Sequence, residues 1–108
     1  REALEPHQLG PDALAQLKVA LLQHHDLAEV RIGAKRLSDF KNSPIHVVLL
    51  RYSGATRGSA ELQRQRNQEL ANQFSQLVGE CFFCSNRAYP KLWKKASKIE
   101  GARLFVRD

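Results

Sequence analysis

The chain has 108 residues, 43% of them hydrophobic, and seventeen Lys and Arg against eleven Asp and Glu give a net charge of +6 and a pI near 9.8. That length supports one domain, with residues 1–9 as an extended arm, and leaves no room for a long linker. No apolar run approaches the roughly 18 residues of a membrane span. The basic balance favours an anionic partner such as nucleic acid over a neutral small substrate, against the alternative that the charge only keeps a small domain in solution.

The start, REALEPHQLG, lacks the order of a secretory signal. Two cysteines three residues apart make no disulfide framework, which points to a reducing, cytoplasmic setting.

After the arm, Gly10-Pro11-Asp12 supplies helix-start chemistry: Pro fits the first turn, and Asp lies near the positive end of the dipole. Leu14, Leu17 and Leu21 keep a 3.6-residue period, widened by Ala13 and Leu22, until Gln23-His24-His25-Asp26 ends it. Leu27–Lys35 alternates through Val30 and Ile32 as a strand with one buried face. Leu37–Pro44 is rich in turn formers and has room for one helical turn around Leu37 and Phe40. Ile45–Tyr52, nearly continuous in apolar and β-branched residues, is a central strand buried on both faces.

Ser53–Ser59 is a glycine-rich connection whose last residue can cap a second long helix, Ala60–Leu77. Leu70, Phe74, Leu77 and Val78 bury its second half, while Gln63, Arg64, Gln65, Arg66 and Gln68 make its first half polar all round and therefore projecting. Gly79 stops it. Cys81–Cys84 forms a third strand and Ala102–Val106 a fourth. The expected fold is α+β: a two-layer α/β sandwich with a small four-stranded sheet and two or three helices on one face.

The segment Glu80–Lys98 carries the functional expectation. No acidic residue falls between Cys81 and Ile99, whereas Arg87, Lys91, Lys94, Lys95 and Lys98 do. With Pro90 opening a helix, the four lysines fall at i, i+3, i+4 and i+7 on one face, and Leu92, Ala96 and Ile99 take another. The run lacks the interleaved Glu of a solvated, ion-paired face, and Tyr89 and Trp93 beside it can stack on bases.

Gly54-Ala55-Thr56-Arg57-Gly58 lies between a buried strand and a helix, where backbone N–H groups can meet a phosphate. No Gly-Lys-Ser/Thr closes it as a nucleotide-binding loop. Arg57, Arg64 and Arg66 extend the basic track toward the lysines.

Cys81-Phe82-Phe83-Cys84 admits a zinc half-site or a redox pair, but there is no second Cys pair and strand periodicity covers it, so two small apolar residues on one strand is the reading preferred. His24-His25-Asp26 fits a helix C-terminus better than an acid–base group, and His46 a satisfied core histidine. No catalytic residue, metal or cofactor is assigned.

Residues 13–33, ALAQLKVALLQHHDLAEVRIG, and 69–87, ELANQFSQLVGECFFCSNR, resemble a helix-turn-strand and a closing helix of the CRM domain, an RNA-binding fold of ribosome-maturation and splicing factors. In another register, HVVLLRYSG (46–54) and KIEGARLFV (98–106) resemble the C-terminal domain of translation initiation factor three. Both resemblances imply a small α/β sandwich that binds structured RNA. The G-x-x-G loop of the CRM domain is absent, so no site residue is transferred.

The expectation is a non-catalytic nucleic-acid-binding domain, with RNA favoured over DNA, using Arg57, Arg64, Arg66, Arg87, Tyr89, Lys91, Trp93, Lys94, Lys95 and Lys98. The alternative is a protein-interaction domain or homodimer, with Ile45–Leu50 or Arg103–Val106 at a sheet edge. A small nuclease drawing on His24, His25 or His46 ranks third.

Overall fold

The structure, a computed structural model, describes residues 4–35, 45–78 and 81–106. The turn expected at Leu37–Pro44 and the helix stop at Gly79 lie outside the described residues. The elements are α1 (Pro11–Leu22), β1 (Leu27–Lys35), β2 (Ile45–Tyr52), α2 (Gly54–Arg57), α3 (Ala60–Val78), β3 (Cys81–Ser85), α4 (Pro90–Ala96) and β4 (Arg103–Val106). The strands form one mixed sheet in the order β3-β2-β1-β4. β1 is antiparallel to β2 and β4, and β2 is parallel to β3 through the α2–α3 crossover. This is an α+β sandwich.

Side-chain alternation along the strands separates two apolar clusters. Val48, Leu50 and Tyr52 of β2 and Val30 and Ile32 of β1 meet Leu17 and Leu21 of α1 and Leu70 and Phe74 of α3. Val47 and Leu49 point the other way, to Ala96, Leu92 and Trp93 of α4. The two long helices therefore share one face and the short α4 lies over the other. That arrangement accounts for the nearly unbroken apolar run of β2, which is buried on both faces. Each fully buried Leu, Ile or Val contributes about 1.5–3 kcal/mol relative to an exposed one.

Local chemistry fixes the helix starts. Pro11 and Asp12 occupy the first turn of α1, and the Leu14 N–H donates to the Gly10 carbonyl at 2.9 Å. Ser59 caps α3 by accepting the Leu62 N–H on Oγ at 3.1 Å. The segment preceding α1 lies against the sheet: Glu5 bridges Ala34 in antiparallel fashion, and the Gln8 N–H donates to His46 Nε2 at 3.2 Å. His46 is thus a satisfied histidine, buried near the start of β2.

Some local expectations need correction. The glycine-rich connection contains a helical turn, α2, entered through Gly54 at φ +65°, a left-handed conformation that glycine adopts without strain. The first half of α3 does not project. Gln63 is buried and its Nε2 donates to the Thr56 and Arg57 carbonyls at 3.1 and 3.0 Å, while Arg66 reaches Asp26. A helix that looks polar all round is here packed through its polar side chains. Ile45–Leu50 lies inside the sheet, with β3 and β4 at its ends.

Candidate nucleic-acid interface

The ten residues singled out from the sequence fall into separate groups. Lys91, Lys94 and Lys95 are exposed on α4, and Lys98 is exposed in the turn that follows it. Among the described residues none of the four is in an ion pair. α4 is held from beneath by Leu92, Trp93 and Ala96, with Ile99 just beyond its end, so its ammonium groups project from a fixed platform.

Trp93 has a second bond to the sheet. The Arg31 guanidinium lies 3.9 Å from its ring centroid and donates to the Trp93 carbonyl at 2.7 Å. One face of the indole is therefore already occupied, and its visible role is to seat α4.

Arg31 belongs to a cluster that sequence reasoning did not assemble. The Glu29 carboxylate, 8% exposed, lies 2.8 Å from Arg31, 3.4 Å from Arg51 and 3.4 Å from Arg103. One acidic group faces three guanidiniums on β1, β2 and β4, leaving a positive excess on the same sheet face as α4. The missed signal was register: Glu29 lies opposite Arg51 across the β1–β2 pair, and Arg31 opposite Arg103 across the β1–β4 pair.

Arg57 and Arg87 meet at the carboxyl ends of β2 and β3. The Arg87 Nη1 donates to the Arg57 carbonyl at 3.0 Å. Both residues border a crevice of about 590 Å³ that Arg51, Gly54, Gly58 and Asn86 also line. Among the described residues no carboxylate lines it. Gln63 and Arg87 separate this crevice from a groove of about 690 Å³ between α3 and β3. That groove has Arg64, Asn67 and Gln68 on one wall and Phe82 and Tyr89 at the other. Tyr89 and Phe82 are 52% and 59% exposed, so their rings are open to stacking.

Arg66 is turned elsewhere. Its Nε donates to Asp26 at 3.0 Å and its Nη1 to Glu69 at 2.6 Å, and its Nη2 sits 2.7 Å from His24 Nδ1. Burial pushes the Asp26 carboxyl up, but hydrogen bonds from Arg66 and Thr56 and the Arg66 charge outweigh it and hold the carboxyl below its ordinary value. The Asp26 bond in turn raises Arg66 further. Tyr52, whose hydroxyl donates to Asn67 Oδ1 at 2.6 Å, is pushed up by burial and by the Asp26 charge. His24 and Asp26 therefore tie the end of α1 to α3 through Arg66.

Neither a protein-family model, a curated protein nor a solved structure matches this chain. The functional reading consequently rests on the site's own chemistry.

The remaining motifs carry less. Cys81 and Cys84 are half-buried thiols on β3, and burial pushes the Cys84 thiol up against the opposing charge of Lys35, contrary to what a reactive thiolate needs. Among the described residues no group of three or more His, Cys, Asp or Glu converges. His46 pairs with Ala34, whereas His24 and His25 precede Leu27, which pairs with Tyr52. Six strand residues therefore separate His46 from the end of the sheet nearest His24 and His25, about 20 Å, too far for an acid–base pair. No helix is long and apolar enough to cross a membrane among the described residues.

Proposed function

We propose that this is a non-catalytic RNA-binding domain whose principal contact is the α4 face. The observation that carries the reading is the exposure of Lys91, Lys94, Lys95 and Lys98 on and just after a short helix anchored by its apolar side, with no carboxylate partner among the described residues. Four closely spaced ammonium groups repel one another and gain by meeting a polyanion. Arg51 and Arg103 extend the positive surface over the sheet, and Arg57 and Arg87 extend it to the crevice. Tyr89 is the aromatic best placed to stack on an unpaired base. A rigid basic face suits the phosphates of structured RNA, with RNA favoured over DNA, and a reducing cytoplasmic setting fits two cysteines kept as thiols.

The test is fluorescence anisotropy with a structured RNA, a single-stranded RNA and a DNA duplex at two salt concentrations. Tightest binding to the structured RNA, weakening steeply with salt, is expected. Salt-insensitive binding, or none, would count against the proposal.

A second reading, a protein-interaction or assembly domain, is favoured by the position of β3 at the sheet edge with its own Phe82 exposed. A dimer by light scattering with no affinity for polyanions would select it.

A further inference from the structure

We infer that the crevice at the carboxyl ends of β2 and β3 is a subsite for a terminal phosphomonoester, with Arg57 and Arg87 as its clamp, so that the domain distinguishes phosphorylated from hydroxyl ends of its nucleic-acid ligand. This inference rests on the RNA-binding reading for the identity of the natural ligand.

The crevice lies beyond the carboxyl ends of β2 and β3, which are parallel to each other. Its electrostatics are one-sided. Arg51, Arg57 and Arg87 border one cavity, and the nearest carboxylate among their ion pairs is Glu29, 3.4 Å from Arg51 and shared with Arg31 and Arg103. Arg57 and Arg87 have no carboxylate partner among the described residues. The Arg87 guanidinium is fixed against the Arg57 backbone carbonyl, which also accepts from the Gln63 amide, so the turn that carries Arg57 is tied to the segment that carries Arg87.

Three arginines lining one crevice, two of them without a carboxylate partner among the described residues, favour a dianion over a monoanion. A terminal phosphomonoester carries close to two charges at neutral pH, against one for an internal diester, and its three terminal oxygens can accept paired N–H donors. The groove beyond Arg87 offers what the adjoining nucleotide needs: exposed Phe82 and Tyr89 rings for stacking and Asn67 and Gln68 amides for base edges.

The experiment compares one RNA bearing a 5′-phosphate, a 3′-phosphate or hydroxyls at both ends, by anisotropy with the native chain and Arg57→Ala/Arg87→Ala. A parallel thermal-shift arm uses a nucleoside monophosphate, the matching nucleoside and inorganic phosphate. One phosphorylated end should bind about ten-fold tighter than the hydroxyl-ended RNA, near 1.4 kcal/mol. The variant should bind all three RNAs alike: its affinity for the phosphorylated end should fall about ten-fold further than its affinity for the hydroxyl-ended RNA, which also weakens because Arg57 and Arg87 belong to the basic surface.

Equal affinity for all three RNAs, with no monophosphate-dependent shift, overturns the inference and leaves RNA binding standing. A shift by the monophosphate that requires Arg57 and Arg87, in a chain that binds no RNA, upholds the phosphate site and rejects the RNA reading. A shift by inorganic phosphate equal to that of the monophosphate upholds the phosphate site and removes the role of the groove.

Discussion

The Arg31 guanidinium covers one face of the Trp93 ring at 3.9 Å and bonds to the backbone carbonyl of the same residue at 2.7 Å. A single side chain from the middle of the sheet thus holds the helix that carries the lysines. Replacing it with a residue of similar reach and no charge separates its roles. Arg31→Met should cost about 2–3 kcal/mol in urea unfolding, because the stacked cation, the bond to α4 and the tightest partner of buried Glu29 go together. RNA affinity should fall as well, through a loosened α4. An unchanged unfolding midpoint would contradict this account of how the helix is held.

Gln63 is the matching anchor on the other side. Its amide nitrogen bonds to two carbonyls, those of Thr56 and Arg57, so Gln63→Glu replaces a donor by an acceptor where two acceptors already point. We expect a loss of about 1–3 kcal/mol and looser amide protection over α2, read by hydrogen exchange. Gln63→Leu, which leaves both carbonyls without that donor but adds no repulsion, should be the milder of the two.

Acid unfolding should show two limbs. Burial holds the His7 imidazole below its ordinary 6.5, and its Nδ1 accepts the Leu9 N–H, so protonation favours the unfolded chain. That contribution is complete above 6.5 and is lost as pH falls through the folded value. Asp26 is held below its ordinary 3.8, so its contribution is complete above 3.8 and disappears as pH falls further. His7→Gln should flatten the upper limb and Asp26→Asn the lower, in urea midpoints taken between about pH 7 and pH 2. Asp26→Asn should also cost about 1–2 kcal/mol at neutral pH through its bonds to Arg66 and Thr56.

Close approach at Gly33 gives a further test. A Cβ there would lie 2.7 Å from Leu4 Cγ and 2.8 Å from its Cδ1. Gly33→Ala should displace the segment that bridges Glu5 to Ala34, costing about 1–3 kcal/mol, with amide protection lost at Glu5 before any change in β2. Full protection at Glu5 in the variant would contradict this packing.

Periodicity made most of the fold legible. Leu14, Leu17 and Leu21 announced α1, the unbroken apolar run announced a strand covered on both faces, and Pro90 marked the start of α4. What escaped was chemistry that depends on pairing across distance. Nothing in the polar stretch Gln63–Gln68 reveals that Gln63 is buried or that Arg66 answers Asp26, forty residues away. Likewise Arg31, Arg51 and Arg103 become one cluster only once register places them around Glu29. Lys91, Lys94 and Lys95 were legible as one face because a helix is a local object, whereas the expected fourth member, Lys98, lies beyond the end of α4 at Ala96; the arginine crevice was not legible because it needs β3 laid parallel to β2.

RNA binding as proposed depends on the α4 lysines meeting a polyanion. The most direct measurement is the affinity of one structured RNA across a salt series for the native chain, for Lys94→Glu/Lys95→Glu, and for Lys18→Glu, an exposed lysine on α1 across the sheet from α4. The double variant should lose more than about ten-fold in affinity and show a shallower salt dependence, by roughly 0.7–0.9 in slope for each phosphate contact removed, with little change for Lys18→Glu. Equal affinity and equal slope in all three proteins would show that the basic helix is a solvated surface and not the binding face.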